Sequence, residues 1–83
     1  MTKYYNPENE RVRYMVRETL NGYVPTMLNV ATGEMVAITP RTAAQYEIAL
    51  PSTPLAQSCA RLTAERYLDQ LARLNGWTEV KCE

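Results

Sequence analysis

Eighty-three residues leave room for one hydrophobic core, because a second domain would need about 50 residues of its own. Nine basic and nine acidic side chains cancel to a formal net charge of zero, which removes the long-range field that gathers proteins onto nucleic acid or anionic membranes. The chain has no histidine, hence no imidazole base, proton shuttle or metal ligand, and its 46% apolar content sets it apart from disordered sequences.

Residues 1–9, with Tyr4–Tyr5–Asn6–Pro7–Glu8 at their centre, combine turn formers with no periodicity. They predict a flexible lead-in to a single α+β domain over 10–83. No run approaches the ~20 apolar residues that a bilayer-spanning helix needs, and nothing at the N-terminus has the form of a signal peptide. Cys59 and Cys82 are too few for a disulfide framework, so the expected setting is the reducing cytoplasm, without membrane contact.

From Val12 the chain alternates apolar and polar residues through Arg17, the period-2 mark of a strand with one buried face. Asn21–Gly22 ends that run, Tyr23–Val30 forms a second, and Met35–Ile38 follows Ala31–Thr32–Gly33 as a third. Together they predict a three-stranded antiparallel meander. If both bends are three-residue loops with glycine in the left-handed position, Thr19 lies opposite Tyr23 and Leu28 opposite Val36. The core face is then Val12, Tyr14, Val16, Val24, Leu28, Val30, Val36 and Ile38. Pro25 falls opposite Thr39, beyond the useful length of the third strand.

Thr39–Pro40 stops the strands, and 41–50 reads as a short helix whose Tyr46–Leu50 end could instead run extended across the sheet. Pro51–Ser52–Thr53–Pro54 is a stop and restart: Ser52 or Thr53 can cap and Pro54 suits a first helical position. A long amphipathic helix to about Asn75 follows, packed on one sheet face. Its stripe is Leu55, Cys59, Leu62, Leu68 and Leu71, with Arg61, Glu65, Arg66, Asp69 and Arg73 on the far side. Gly76 suits a left-handed C-cap with Trp77 folding back on Leu71 or Ala72, and Thr78–Glu83 has the makings of a short edge strand.

Little chemistry remains available to such a chain. Cys59 falls on the expected core stripe, Cys82 lacks an activating neighbour beyond Lys81, and the three glycines are spent on turns and a cap. Neither a metal nor a phosphate site has enough residues, so no catalytic, cofactor or metal role is assigned and the chain is read as a non-enzyme.

The informative surface is the outer face of the meander, which this register fills with Arg11, Arg13, Met15, Arg17, Met27 and Met35. Methionine moulds to partners and arginine is enriched at interface hot spots. A second basic surface is Arg61, Arg66 and Arg73 on the long helix. The competing expectation is that the 41–50 helix covers the methionines as a small second core.

In size and style the chain resembles small neutral accessory proteins of phages and mobile elements, including anti-CRISPR inhibitors. The resemblance implies binding to another protein or a ribonucleoprotein complex by surface occlusion. Two alternatives stand beside it: a nucleic-acid-binding module using the same arginines, and a homodimer burying Met15, Met27 and Met35.

Overall fold

The computed structural model describes residues 2–51 and 58–81. Five strands, β1 (Tyr4–Asn6), β2 (Asn9–Thr19), β3 (Gly22–Asn29), β4 (Met35–Ala37) and β5 (Thr78–Glu79), form one sheet in the order β4-β3-β2-β1-β5. The pairings are antiparallel throughout. The described residues also form two helices, α1 (Pro40–Gln45) and α2 (Arg61–Asn75). This is the α+β class expected, with a C-terminal helix packed on the sheet, but the sheet has five strands where a three-stranded meander and a short C-terminal edge strand were foreseen.

Both added strands come from the chain ends. Tyr4–Asn6, expected to be part of a loose lead-in, pairs with β2 through Tyr4↔Tyr14 and Tyr5↔Arg13. Thr78–Glu79 then pairs with β1 as the predicted edge strand.

The bends differ from expectation by one residue each, in opposite senses. Thr19 pairs with Gly22, so the first loop holds only Leu20 and Asn21. The Thr19 hydroxyl braces it, accepting from the Asn21 N–H at 3.3 Å and donating to the Gly22 carbonyl at 3.0 Å. The second loop is four residues, 30–33, closed by Asn29 N–H donating to the Glu34 carbonyl at 2.9 Å. Inside it the Asn29 side-chain oxygen accepts from the N–H groups of Ala31 and Thr32, the local bonding that makes asparagine a turn former.

Opposite slips cancel between β2 and β4 but turn β3 over, because the side-chain period of a strand is two. Val12, Tyr14, Val16, Val36 and Ile38 keep their predicted inward places. Met27 joins them, buried opposite Tyr14, whereas Val24, Leu28 and Val30 leave the predicted core face and point outward. Pro25 lies buried opposite Val16, and its carbonyl accepts from Ile38 N–H at 3.0 Å, so its expected place opposite Thr39 is also corrected.

The core lies between the inner face and α2, where Tyr67, Leu68, Leu71 and Ala72 meet Val12, Tyr14, Met27, Ile38 and Trp77. Tyr14 and Trp77 stack with ring centroids 3.5 Å apart and planes 10° apart. Gly76 (φ 71) caps α2 in the left-handed conformation, and Trp77 N–H bonds back to the Ala72 carbonyl, as the Gly76–Trp77 pair predicted.

Helix α2 begins later than expected. The capping expectation at Ser52, Thr53 and Pro54, and the stripe position Leu55, lie outside the described residues. Ser58–Ala60 are described and are not helical: Cys59 exchanges both backbone hydrogen bonds with Tyr23, at 2.8 and 2.9 Å. Cys59 therefore belongs to an isolated bridge and not to the helical stripe, and Leu62 is 57% exposed. Gly22 permits the bridge, since a Cβ there would sit 2.7 Å from the Cys59 carbonyl oxygen.

Candidate binding face

Alternation along β2 puts Arg11, Arg13, Met15 and Arg17 on the outer face, as predicted, and the observed register adds the outward residues of the other strands. One cross-strand row runs Thr78–Tyr5–Arg13–Leu28–Met35 across all five strands. The next position along joins Arg11 to Val30, whose N–H donates to the Arg11 carbonyl at 2.8 Å. Tyr5 was not among the expected site residues; its place follows from β1, which the turn-rich start of the chain concealed.

The predicted methionine cluster does not form. Met15 is 5% exposed and lies opposite Thr26, Met27 is in the core on the other side, and Met35 is 45% exposed on the edge strand. Thr26 and Val24 are buried beside Met15, so the sheet is sealed on both sides where β2 and β3 cross its middle. The accessible part of the outer face is the end carrying Tyr5, Arg11, Arg13, Leu28, Val30 and Met35.

Charge is segregated on this face. Three arginines, Arg11, Arg13 and Arg17, point outward from β2, and no outward position of the five described strands holds Asp or Glu. The Arg13 guanidinium lies 5.8 Å from the Tyr5 ring centroid and donates to the carbonyls of Glu10 and Val12, which fixes its aim without cancelling its charge. Arg17 is half-buried and its Nε meets no hydrogen-bond acceptor among the described residues.

The basic surface expected on the long helix is not one surface. Arg66 and Arg73, seven residues apart, lie within about 20° of each other around α2, whereas Arg61 is more than about 100° away. Arg61 is paired with Glu65 at 3.1 Å.

The inner side of the sheet carries charges of both signs at its edge. Asp69 of α2 accepts from the Tyr4 hydroxyl at 2.6 Å and pairs with the Lys3 ammonium at 2.9 Å, tying β1 to the helix. Burial pushes the Asp69 carboxyl up, but the Tyr4 hydroxyl and Lys3 ammonium outweigh it and hold the group below its ordinary value. Burial and the Asp69 carboxylate push the Tyr4 phenol well above its ordinary value. An ionised carboxylate already engaged twice is a tie and a poor proton acceptor. The shallow cavity beside it, about 340 Å³ between Tyr4, Asp69, Ala72, Arg73, Trp77 and Glu79, presents both signs of charge.

Among the described residues no three His, Cys, Asp or Glu side chains converge on a point, and no described helix is long and apolar enough to cross a membrane. Fold and surface define the class: a five-stranded antiparallel α+β domain whose outer sheet face, at its accessible end, is cationic on one side and apolar on the other. No protein-family model, curated protein sequence or solved structure matches the chain.

Proposed function

We propose that the protein is a non-enzymatic binding module that docks the open end of its outer sheet face on an acidic surface of another protein and acts by occluding it. The observation that carries this reading is the single-sign charge of that face. Net charge over the chain is zero, yet Arg11, Arg13 and Arg17 share one side with no acid among them. Beside them Leu28 is half-buried while Val30 and Met35 are 52% and 45% exposed, an apolar area next to a cationic one. Such a composite suits a protein interface, in which buried apolar contacts supply affinity and complementary charge supplies orientation and rate.

Self-association through the same face is disfavoured by this charge. A two-fold contact would set the arginines of β2 either on their own copies or on the apolar stripe of the other copy, and neither supplies an acid to pair with them. The Tyr5–Arg13 pair favours one second reading, a single-stranded nucleic acid stacked on the ring with its phosphates on the arginines.

The test is capture of partners from the source cells on the tagged protein, with and without nuclease, compared with an Arg11→Glu/Arg13→Glu variant. Loss of a nuclease-resistant protein partner in the variant, with an unchanged fold by circular dichroism, is the expected result. Retention of every partner by the variant overturns the docking reading, and a partner lost only with nuclease moves it to nucleic acid.

A further inference from the structure

The open end of the outer face has a directional pattern that narrows what can lie on it. Arg11 and Arg13 are two residues apart on β2; across from them Leu28 of β3 pairs with Arg13, Val30, the first residue of the following loop, bonds to Arg11, and Met35 lies opposite Leu28. The arginine pair spans about 7 Å along β2, and the apolar residues lie beside it at the spacing of neighbouring strands, about 5 Å. The patch is therefore two parallel stripes of different chemistry aligned with the strands.

A ligand that satisfies both stripes must carry an apolar ridge and a parallel acidic one. An α-helix does this readily: residues four apart are separated by about 6 Å along its axis, matching the spacing of Arg11 and Arg13, and they share one face. An extended segment could match the spacing too. Laid flat on Leu28 and Val30, however, it would turn unpaired backbone N–H and C=O groups onto an apolar surface, whereas a helix bonds its own. A nucleic-acid strand would use Arg11, Arg13 and Tyr5 but find no partner for its bases or phosphates along Leu28, Val30 and Met35.

We infer that the occupant of this patch is an amphipathic helix of a partner protein, its apolar stripe on Leu28, Val30 and Met35 and an acidic flank on Arg11 and Arg13. This rests on the docking reading above. Helix and sheet then complete the arrangement already present on the inner face, where α2 covers Val12, Tyr14 and Met27.

The probe is a panel of labelled helical peptides about five turns long, built with a leucine stripe and a glutamate flank placed at each rotation around it. The experiment follows binding by fluorescence anisotropy and maps it by amide chemical-shift changes. At least one acidic rotation should bind, shifting the amides of Tyr5, Arg11, Arg13, Leu28, Val30 and Met35. Affinity should fall about tenfold or more when lysine replaces the glutamates, when a central proline breaks the helix, or when the protein carries Arg11→Glu/Arg13→Glu.

Equal binding of the proline-broken peptide overturns the helix, and tighter binding of an oligothymidylate overturns it in favour of nucleic acid. Shifts confined to α2 overturn the site. If no peptide binds while the Arg11→Glu/Arg13→Glu variant still loses its captured protein, the helix fails and the docking reading stands. If capture is unaffected as well, both fail.

Discussion

The inner and outer faces of the sheet use alternate residues of the same strands, yet they solve different problems. Inward residues Val12, Tyr14 and Met27 are 6%, 2% and 3% exposed and are sealed by α2 and Trp77. On the outside, burial stops at Met15, Val24 and Thr26, and the remainder includes arginine, tyrosine, threonine and partly exposed aliphatic side chains. The contrast teaches that here burial alone does not tell core from surface, because the middle of the sheet is buried on both sides. Charge tells them apart. The outward positions hold cations without anions, while the tie of Lys3, Tyr4 and Asp69 holds both signs together across the inner edge.

The sharpest way to break the contrast is a cavity on the inner side. Leu71 is fully buried in the cluster, and Leu71→Ala should cost about 2–5 kcal/mol, enough to unfold much of a chain this small. Urea denaturation followed by circular dichroism would show it, and a loss below about 1 kcal/mol would mean that the core is not where it is placed.

A smaller effect is expected at the bend that sets the face of β3. Gly22 has φ 140 and faces the Cys59 carbonyl, so Gly22→Ala should cost about 1–3 kcal/mol. Loss of hydrogen-exchange protection at the Tyr23 and Cys59 amides should accompany it. An alanine variant as stable as the parent would contradict the bridge between Tyr23 and Cys59.

Next comes the tie between β1 and α2. Asp69 has its carboxyl pKa held below the ordinary 3.8, so its contribution to stability is present above that value and is lost as pH falls through the folded one. Asp69→Asn should cost about 1 kcal/mol or less at neutral pH, because the carboxylate is a third exposed, and should flatten the acid limb of the stability curve. An acid limb identical in both proteins would remove Asp69 from the account.

The smallest effect is the one that isolates the outer face. Arg11→Glu/Arg13→Glu should move stability by less than about 0.5 kcal/mol while abolishing partner capture. A large loss of stability in that variant would mean that the face is structural and the contrast is lost.

Much of the fold was legible because its signals are local. The alternation of Val12–Arg17 announced β2 and placed Arg11, Arg13, Met15 and Arg17 on one side, and Leu68, Leu71, Gly76 and Trp77 announced the end of α2. The orientation of β3 was not legible. Tyr23, Pro25 and Met27 alternate with Val24, Thr26 and Leu28, so either set could face the core, and Val24 to Met27 are all buried. A strand buried on both faces carries no period-2 signal, and its register passes to the bends. One clue to the second bend was Asn29, whose side chain could have been read as the start of a turn. Strand β1 gave no local signal, because three residues next to a proline take their extended form from partners on both sides.

The sequence by itself determined the class of fold, the alternation of β2, the C-terminal cap of the long helix and the common side of the three outer arginines, since each depends on residues within a turn or a strand of one another. Tertiary structure decided which side of β3 meets the helix, that Cys59 pairs with Tyr23 and stays outside the helix, and that Tyr5 stands beside Arg13. Those three depend on residues far apart in the chain, 8 positions for Tyr5 and Arg13, 36 for Tyr23 and Cys59, and more again for Met27 and α2. Hydrogen bonding and burial across that distance are settled only when all the strands are in register at once.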